Sequence, residues 1–196
     1  MFSRIPIILA TLLLFAAGPV LALGGQDVLI DDVGLAWPDL RDIVATEDGI
    51  LFAIGVGNAD ETLMHVYRSD DGGTHWSLWS EIEPVNVEAE FNEAHLEVNS
   101  AAPGSLLIVW TERSFDGPVT GSWLQFGRTP VVDENPSWAV QELGYTSGII
   151  MSPVAISVAE SSGPFDRVAV AWRAENTIYY AVSTSTGISW SAPIEP

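Results

Sequence analysis

Ser69-Asp70-Asp71-Gly72-Gly73-Thr74-His75-Trp76 closes a run in which Leu63, His65 and Tyr67 alternate with Met64, Val66 and Arg68. Alternation of that kind marks a strand. The octet itself reads S-x-D-G-G-x-x-W. An Asp side chain accepts hydrogen bonds from the backbone N–H groups of a tight turn. Gly supplies the positive φ that a hairpin needs. The Trp ring covers the hairpin with a large apolar area. Every part of the pattern serves folding, and none requires a substrate. A weaker copy, Ser183-Thr184-Ser185-Thr186-Gly187-Ile188-Ser189-Trp190, follows a second strand-like run from Ile178 to Val182. Two such turns in corresponding places mean a repeated β unit, and a repeat decides architecture before any single residue does.

Working outward from the two turns, the chain divides into three similar units, about 38–82, 92–143 and 152–193. The first is expected to hold strands Asp42–Thr46, Ile50–Val56, Leu63–Ser69 and Trp76–Ile82, with Glu47-Asp48-Gly49 as its first turn. The second holds His95–Ser100, Ser105–Thr111, Ser122–Arg128 and Trp138–Glu142. Its last turn, Val132 to Ser137, keeps Asp133 ahead of Trp138 but has no Gly pair. The third holds Val154–Ala159, Arg167–Trp172, Thr177–Ser183 and Ser189–Ala192. Trp76, Trp138 and Trp190 fall at equivalent places, as do Trp110 and Trp172. Four short strands in a unit of about 50 residues is the pattern of a propeller blade. A β-sandwich with fortuitous periodicity is the competing architecture.

The octet resembles the Asp box, or BNR repeat, of sialidase-like β-propellers. Ser69, Asp71, Gly73 and Trp76 match the box in the first copy; Ser183, Gly187 and Trp190 match it in the second, where Ser185 replaces the Asp. Trp190-Ser191-Ala192-Pro193 looks like the usual exit from the box. The resemblance implies an all-β, sialidase-like propeller of three four-stranded antiparallel blades, half of a six-bladed ring, and a structural role for the box residues. Three blades cannot close a ring, since propellers have about four to eight. Either further blades follow at the C-terminal side, or two chains pair by two-fold symmetry into a homodimeric six-bladed ring, or the arc stays open.

The N-terminus reads as a secretory signal peptide over residues 1–22. Arg4 forms its basic end, Ile7 to Ala17 its apolar centre, and Val20-Leu21-Ala22 a small-residue cleavage site. An uncleaved membrane anchor is the alternative. The incomplete propeller domain then occupies 23–196, secreted, extracellular or periplasmic, with no membrane association after cleavage. The chain has no Cys and therefore no disulfide framework. It has no Lys, seven Arg against 26 Asp plus Glu, and a formal net charge of −19. Such a chain repels phosphates, which argues against a nucleic-acid partner. The charge also opposes an anionic sugar unless Arg residues gather at one place.

Candidate chemistry lies on loops opposite the box turns. Asp39, Arg41 and Glu61 from the first unit, Arg113 from the second and Arg173 from the third are candidate ligand-binding residues. The sialidase reaction holds a carboxylate sugar with Arg residues, for which bidentate guanidinium contacts suit. It uses a Tyr–Glu nucleophile and an Asp acid/base. The resemblance places that Asp on the loop after the second strand of the first blade, where Asp60 stands. The family's Arg-Ile-Pro motif is matched only by Arg4-Ile5-Pro6 inside the signal segment, a chance match, and the Tyr–Glu pair is not found. His65, His75 and His95 lack metal-ligand spacing, so no metal and no cofactor is expected. The expected function is a secreted module that binds a glycan or a protein without catalysis. The alternative is the N-terminal half of an exo-sialidase or related glycoside hydrolase.

Overall fold

A computed structural model describes residues 38–57, 60–86, 88–99, 104–114, 120–147, 151–160 and 165–196. Residues 1–37, with the expected signal peptide, and Asn58, Phe115 and Asp116 lie outside the described residues. Three antiparallel sheets follow one another along the chain. The first joins β1 (Pro38–Ala45), β2 (Leu51–Gly57), β3 (Asp60–Ser69) and β4 (Ser77–Ile82) in that order. The second joins β5 (Glu90–Asn99), β6 (Ser105–Ser114), β7 (Gly121–Pro130) and β8 (Ala139–Ser147). The third joins β9 (Met151–Ala159), β10 (Arg167–Ala174) and β11 (Thr177–Ser183).

The expected fourth strand of the third unit, Ser189–Ala192, is corrected by the structure. The segment stands beside β11 but joins it through one bridge, Tyr180 with Ile194. The Ser191 amide donates to the Val182 carbonyl, while the Val182 amide donates to the Ser191 hydroxyl rather than to a carbonyl. Pro193 has no N–H to extend the ladder.

The sheets stack face to face, and the central one shows why. A half-buried strand alternates apolar and polar; β6 instead runs Leu106-Leu107-Ile108-Val109-Trp110 without a polar residue, and all five side chains are fully buried. Leu106, Ile108 and Trp110 pack with Phe52, Ile54, Met64 and Val66 of the first sheet. Leu107 and Val109 pack with Val154, Val168, Val170 and Trp172 of the third. The period-2 rule thus sends alternate residues of one strand into two different cores. Trp138 caps the first core and Trp190 the second, at equivalent places in their blades.

β1 lies beside β5, and β5 beside β9, so the first strand of each blade forms the inner seam. A carboxylate crosses each seam to grip main chain. Asp42 accepts the Leu96 amide at 3.0 Å. Glu93 accepts the Val154 amide at 2.9 Å and the Ser152 hydroxyl at 2.8 Å. Successive antiparallel sheets, two of four strands and one of three, packed on their neighbours with first strands innermost make a β-propeller-like fold.

Candidate functional site

The two ends of the stack differ in what their connections hold. At one end lie the β1–β2 and β3–β4 turns, with the 183–190 turn after β11. Ser69 donates to Asp71 Oδ1 at 2.9 Å and accepts the Gly73 amide at 2.8 Å. Asp71 Oδ1 also accepts the amides of Thr74 and His75, at 3.0 and 2.9 Å. The His75 amide, then its ring 2.6 Å from Oδ2, then the Ser69 hydroxyl hold the Asp71 carboxyl well below the usual carboxylate range. Trp76 donates its indole N–H to Gly73 O. Every lone pair so engaged closes the turn, which leaves no reactive group.

In the second copy Ser183 accepts the amides of Ser185 and Gly187. Ser185 accepts the Ser189 amide at 2.9 Å, in the manner of Asp71. Thr186 stands where the first copy has Gly72 and adopts φ 52. A left-handed β-branched residue is strained. A double link offsets it: the Thr186 hydroxyl accepts the Asp166 amide at 3.1 Å, and the Thr186 amide donates to Asp166 O at 3.2 Å.

At the opposite end lie the β2–β3, β6–β7 and β10–β11 connections and the links β4–β5 and β8–β9. Pro38 pairs with Gly57 and Gly57 with Asp60, so Asp39 and Asp60 are carried on strand ends that flank β2. Asp60 and Glu61 open β3; the side chains of Asp39, Asp60 and Glu61 lie outside the described residues. Arg41 sits at the β1 bulge between Leu40 and Asp42. Arg113 donates to Asn92 Oδ1 at 3.4 Å and stands 3.7 Å from Glu90. Arg173 donates its Nε–H to Ser152 O at 3.1 Å. Ser152 in turn bonds Glu93, so Arg173 joins the β5–β9 seam, while Arg113 lies along the same β5 strand.

Two residues on this end carry a structural load that their place in the sequence does not announce. Glu112 is fully buried. Its oxygens accept the Val85 amide at 2.8 Å, the Asn86 amide at 3.1 Å, the Asn86 side-chain amide at 2.7 Å and the Trp110 indole at 2.9 Å. It therefore ties the β4–β5 link to the central sheet. Glu142, on β8, is pushed up by burial and by the nearby Glu112 carboxylate. An acid two residues past the apolar run Leu106–Trp110 is the sequence signal that could have singled out Glu112. Trp123 is 7% exposed and packs on Tyr145, and Trp79 packs between Phe52 and Trp138; both are packing residues.

A cleft of about 380 Å³ opens on this end. Thr62 and Leu63, the residues after Asp60 and Glu61, form one wall; Glu83, Pro84, Asn86, Glu88 and Ala89 of the β4–β5 link form the other. The Ala89 amide donates to Asn86 O, closing a four-residue turn, and Glu88 in that turn adopts φ 62. Among the described residues no three His, Asp or Glu side chains gather as a metal site.

No protein-family profile matches the chain, and no curated protein matches it. Solved structures do. An α-L-arabinofuranosidase from Fusarium graminearum, in complex with an iminosugar inhibitor, matches with TM-score 0.63 and 13% identity, over 86% of this chain and 52% of that one. A Penicillium chrysogenum α-L-arabinanase complexed with arabinobiose matches with TM-score 0.58 and 16% identity, over 81% and 49%. A protein of unknown function from Dyadobacter fermentans matches with TM-score 0.52 and 14% identity, over 79% and 40%. The chain thus spans about half the length of the arabinofuranosidase and of the arabinanase. At such identities the likeness establishes the fold: β-propeller-like and related to glycosidase folds. It does not single out the sialidase type.

Proposed function

We propose that this chain is a carbohydrate-binding, propeller-like module whose ligand sits on the end opposite the box turns. The cleft between the start of β3 and the β4–β5 link carries the reading. It combines hydrogen-bonding groups with an apolar wall on a fold shared with an arabinofuranosidase and an arabinanase. The carboxylates whose bonds are defined nearby, Glu112 and Glu93, are committed to holding backbone. That supports binding rather than catalysis by the described residues. Secretion through the 1–22 segment belongs to the same proposal, as does a glycan as the partner. The other proposed arrangement is a homodimeric ring.

The second reading is the N-terminal half of a glycoside hydrolase, whether an exo-sialidase or a relative. It is favoured by the half-length match to glycosidases and by Asp60, which opens β3 two residues before the cleft wall at Thr62. In that reading Asp60 acts as acid/base, and Asp39, Arg41, Glu61, Arg113 and Arg173 contact the sugar. Purified secreted chain, titrated with oligosaccharides by calorimetry and incubated with aryl arabinofuranosides and aryl sialosides, separates the two. Binding without release of the aryl group supports the module. Release that is lost in Asp60→Asn supports the hydrolase. Neither binding nor release removes both.

A further inference from the structure

The cleft also bears on which sugar it takes, an inference that rests on the carbohydrate-binding reading. Among the described residues its lining includes two carboxylates, Glu83 and Glu88, and no Arg, Lys or His. Two arginines of this end are engaged elsewhere, Arg113 with Asn92 and Glu90 and Arg173 with Ser152 O, and Arg41 at the β1 bulge does not line the cleft. A carboxylate sugar entering the cleft would meet like charge with no guanidinium to offset it. An uncharged sugar meets what it needs. Its hydroxyls can donate to the two carboxylates, and its C–H face can lie against Leu63 and Pro84.

Glu88 holds a turn position that ordinarily goes to Gly or Asn. The turn is closed by Ala89 N–H to Asn86 O, and φ at Glu88 is 62. A glycine there would relieve backbone strain. We infer that the cleft is a subsite for an uncharged sugar unit, with the Glu88 carboxylate as the acceptor for its hydroxyls.

The substitution Glu88→Gly separates folding from binding, because the two effects have opposite signs. The full chain is followed by amide NMR while arabinobiose, lactose, digalacturonate or 3′-sialyllactose is added to millimolar concentration. The expected result is that a neutral disaccharide shifts the Thr62, Asn86 and Glu88 amides, and that neither acidic sugar does. Glu88→Gly should melt about 2–4 °C higher yet bind the neutral sugar about 10- to 100-fold more weakly. Glu88→Gln, which keeps shape and removes charge, should weaken neutral binding about tenfold and lessen the exclusion of the acidic sugars. Neutral binding in Glu88→Gly equal to that of the parent chain overturns the role of Glu88 while leaving carbohydrate binding intact. Acidic sugars that bind as well as neutral ones overturn the choice of ligand. Silence towards all four sugars takes down the carbohydrate reading and this inference with it.

Discussion

Gly187 in the second box turn tests whether the second and third blades pack as described. Two effects meet there. Its φ is 76, and an L-residue in that region costs about 1–2 kcal/mol. A Cβ at Gly187 would also stand 2.3 Å from Phe126 Cζ and 2.4 Å from Cε1. Carbon atoms rest about 3.5–4.0 Å apart, so the ring would have to retreat by more than about 1 Å. Phe126 is 1% exposed and lies against Trp190, with ring centroids 4.8 Å apart, so it has little room. Overpacking of that kind costs about 1–3 kcal/mol. Gly187→Ala should therefore cost about 2–5 kcal/mol in all. Gly72→Ala in the first box is the control. Its φ is 71, but nothing lies within 4 Å of the added Cβ, so only the backbone cost of about 1–2 kcal/mol applies. Urea denaturation followed by Trp fluorescence measures both. The double variant Gly187→Ala/Phe126→Leu should show a coupling of at least about 1 kcal/mol, because the smaller side chain makes space. Equal costs for the two alanines, or additivity in the cycle, would refute the contact between the third-blade turn and β7.

Other outcomes follow from the carboxylates. Glu112→Leu should cost about 3–5 kcal/mol, since it strands the Val85 and Asn86 amides and the Trp110 indole; urea melts measure the cost, and hydrogen exchange should show residues 83–89 losing protection first. Asp71 is held below its ordinary range, so its contribution is present above the unfolded carboxylate value and is lost as pH falls through the folded one. Thermal melts from pH 6 to 2 should accordingly fall less steeply for Asp71→Asn than for the parent chain. Glu142 is shifted upward, so its ionisation works against folding as pH rises through the carboxylate range. Glu142→Gln should raise the melting temperature at pH 7 and leave it unchanged at pH 3.

The box turns and the matched tryptophans were legible because they act locally: each is a turn plus the side chain that covers it. Trp138 and Trp190 occupy equivalent places in their two cores, as the spacing implied. The inner strands were less legible. β5 begins at Glu90 rather than His95, and β9 at Met151 rather than Val154. Bulges between Phe91 and Glu93, and opposite Trp172–Ala174, break the alternation that would have revealed them. The fourth strand of the third blade was overcalled because Ser189–Ala192 has the right spacing, yet its Ser191 hydroxyl takes the place of a ladder carbonyl. At the candidate site, single residues such as Arg113 and Arg173 could be named but not their partners. Glu112 reaches amides 26 and 27 residues away, a distance over which no sequence pattern speaks.

The seams between neighbouring blades have a consequence for how such a molecule can arise. Asp42 and Glu93 each take hold of an amide, which every residue but proline possesses. The held strand adds a side chain at each joint, His95 Nδ1 at 3.4 Å from Asp42 Oδ2 and the Ser152 hydroxyl donating to Glu93, but the amide is the element common to both. A blade duplicated in tandem would dock on its parent from the first generation, and the newcomer's sequence could then drift with the joint intact. In both joints the acid lies on the strand nearer the N-terminus and the amide on the strand that follows, so the instructions for assembly pass down the chain in one direction.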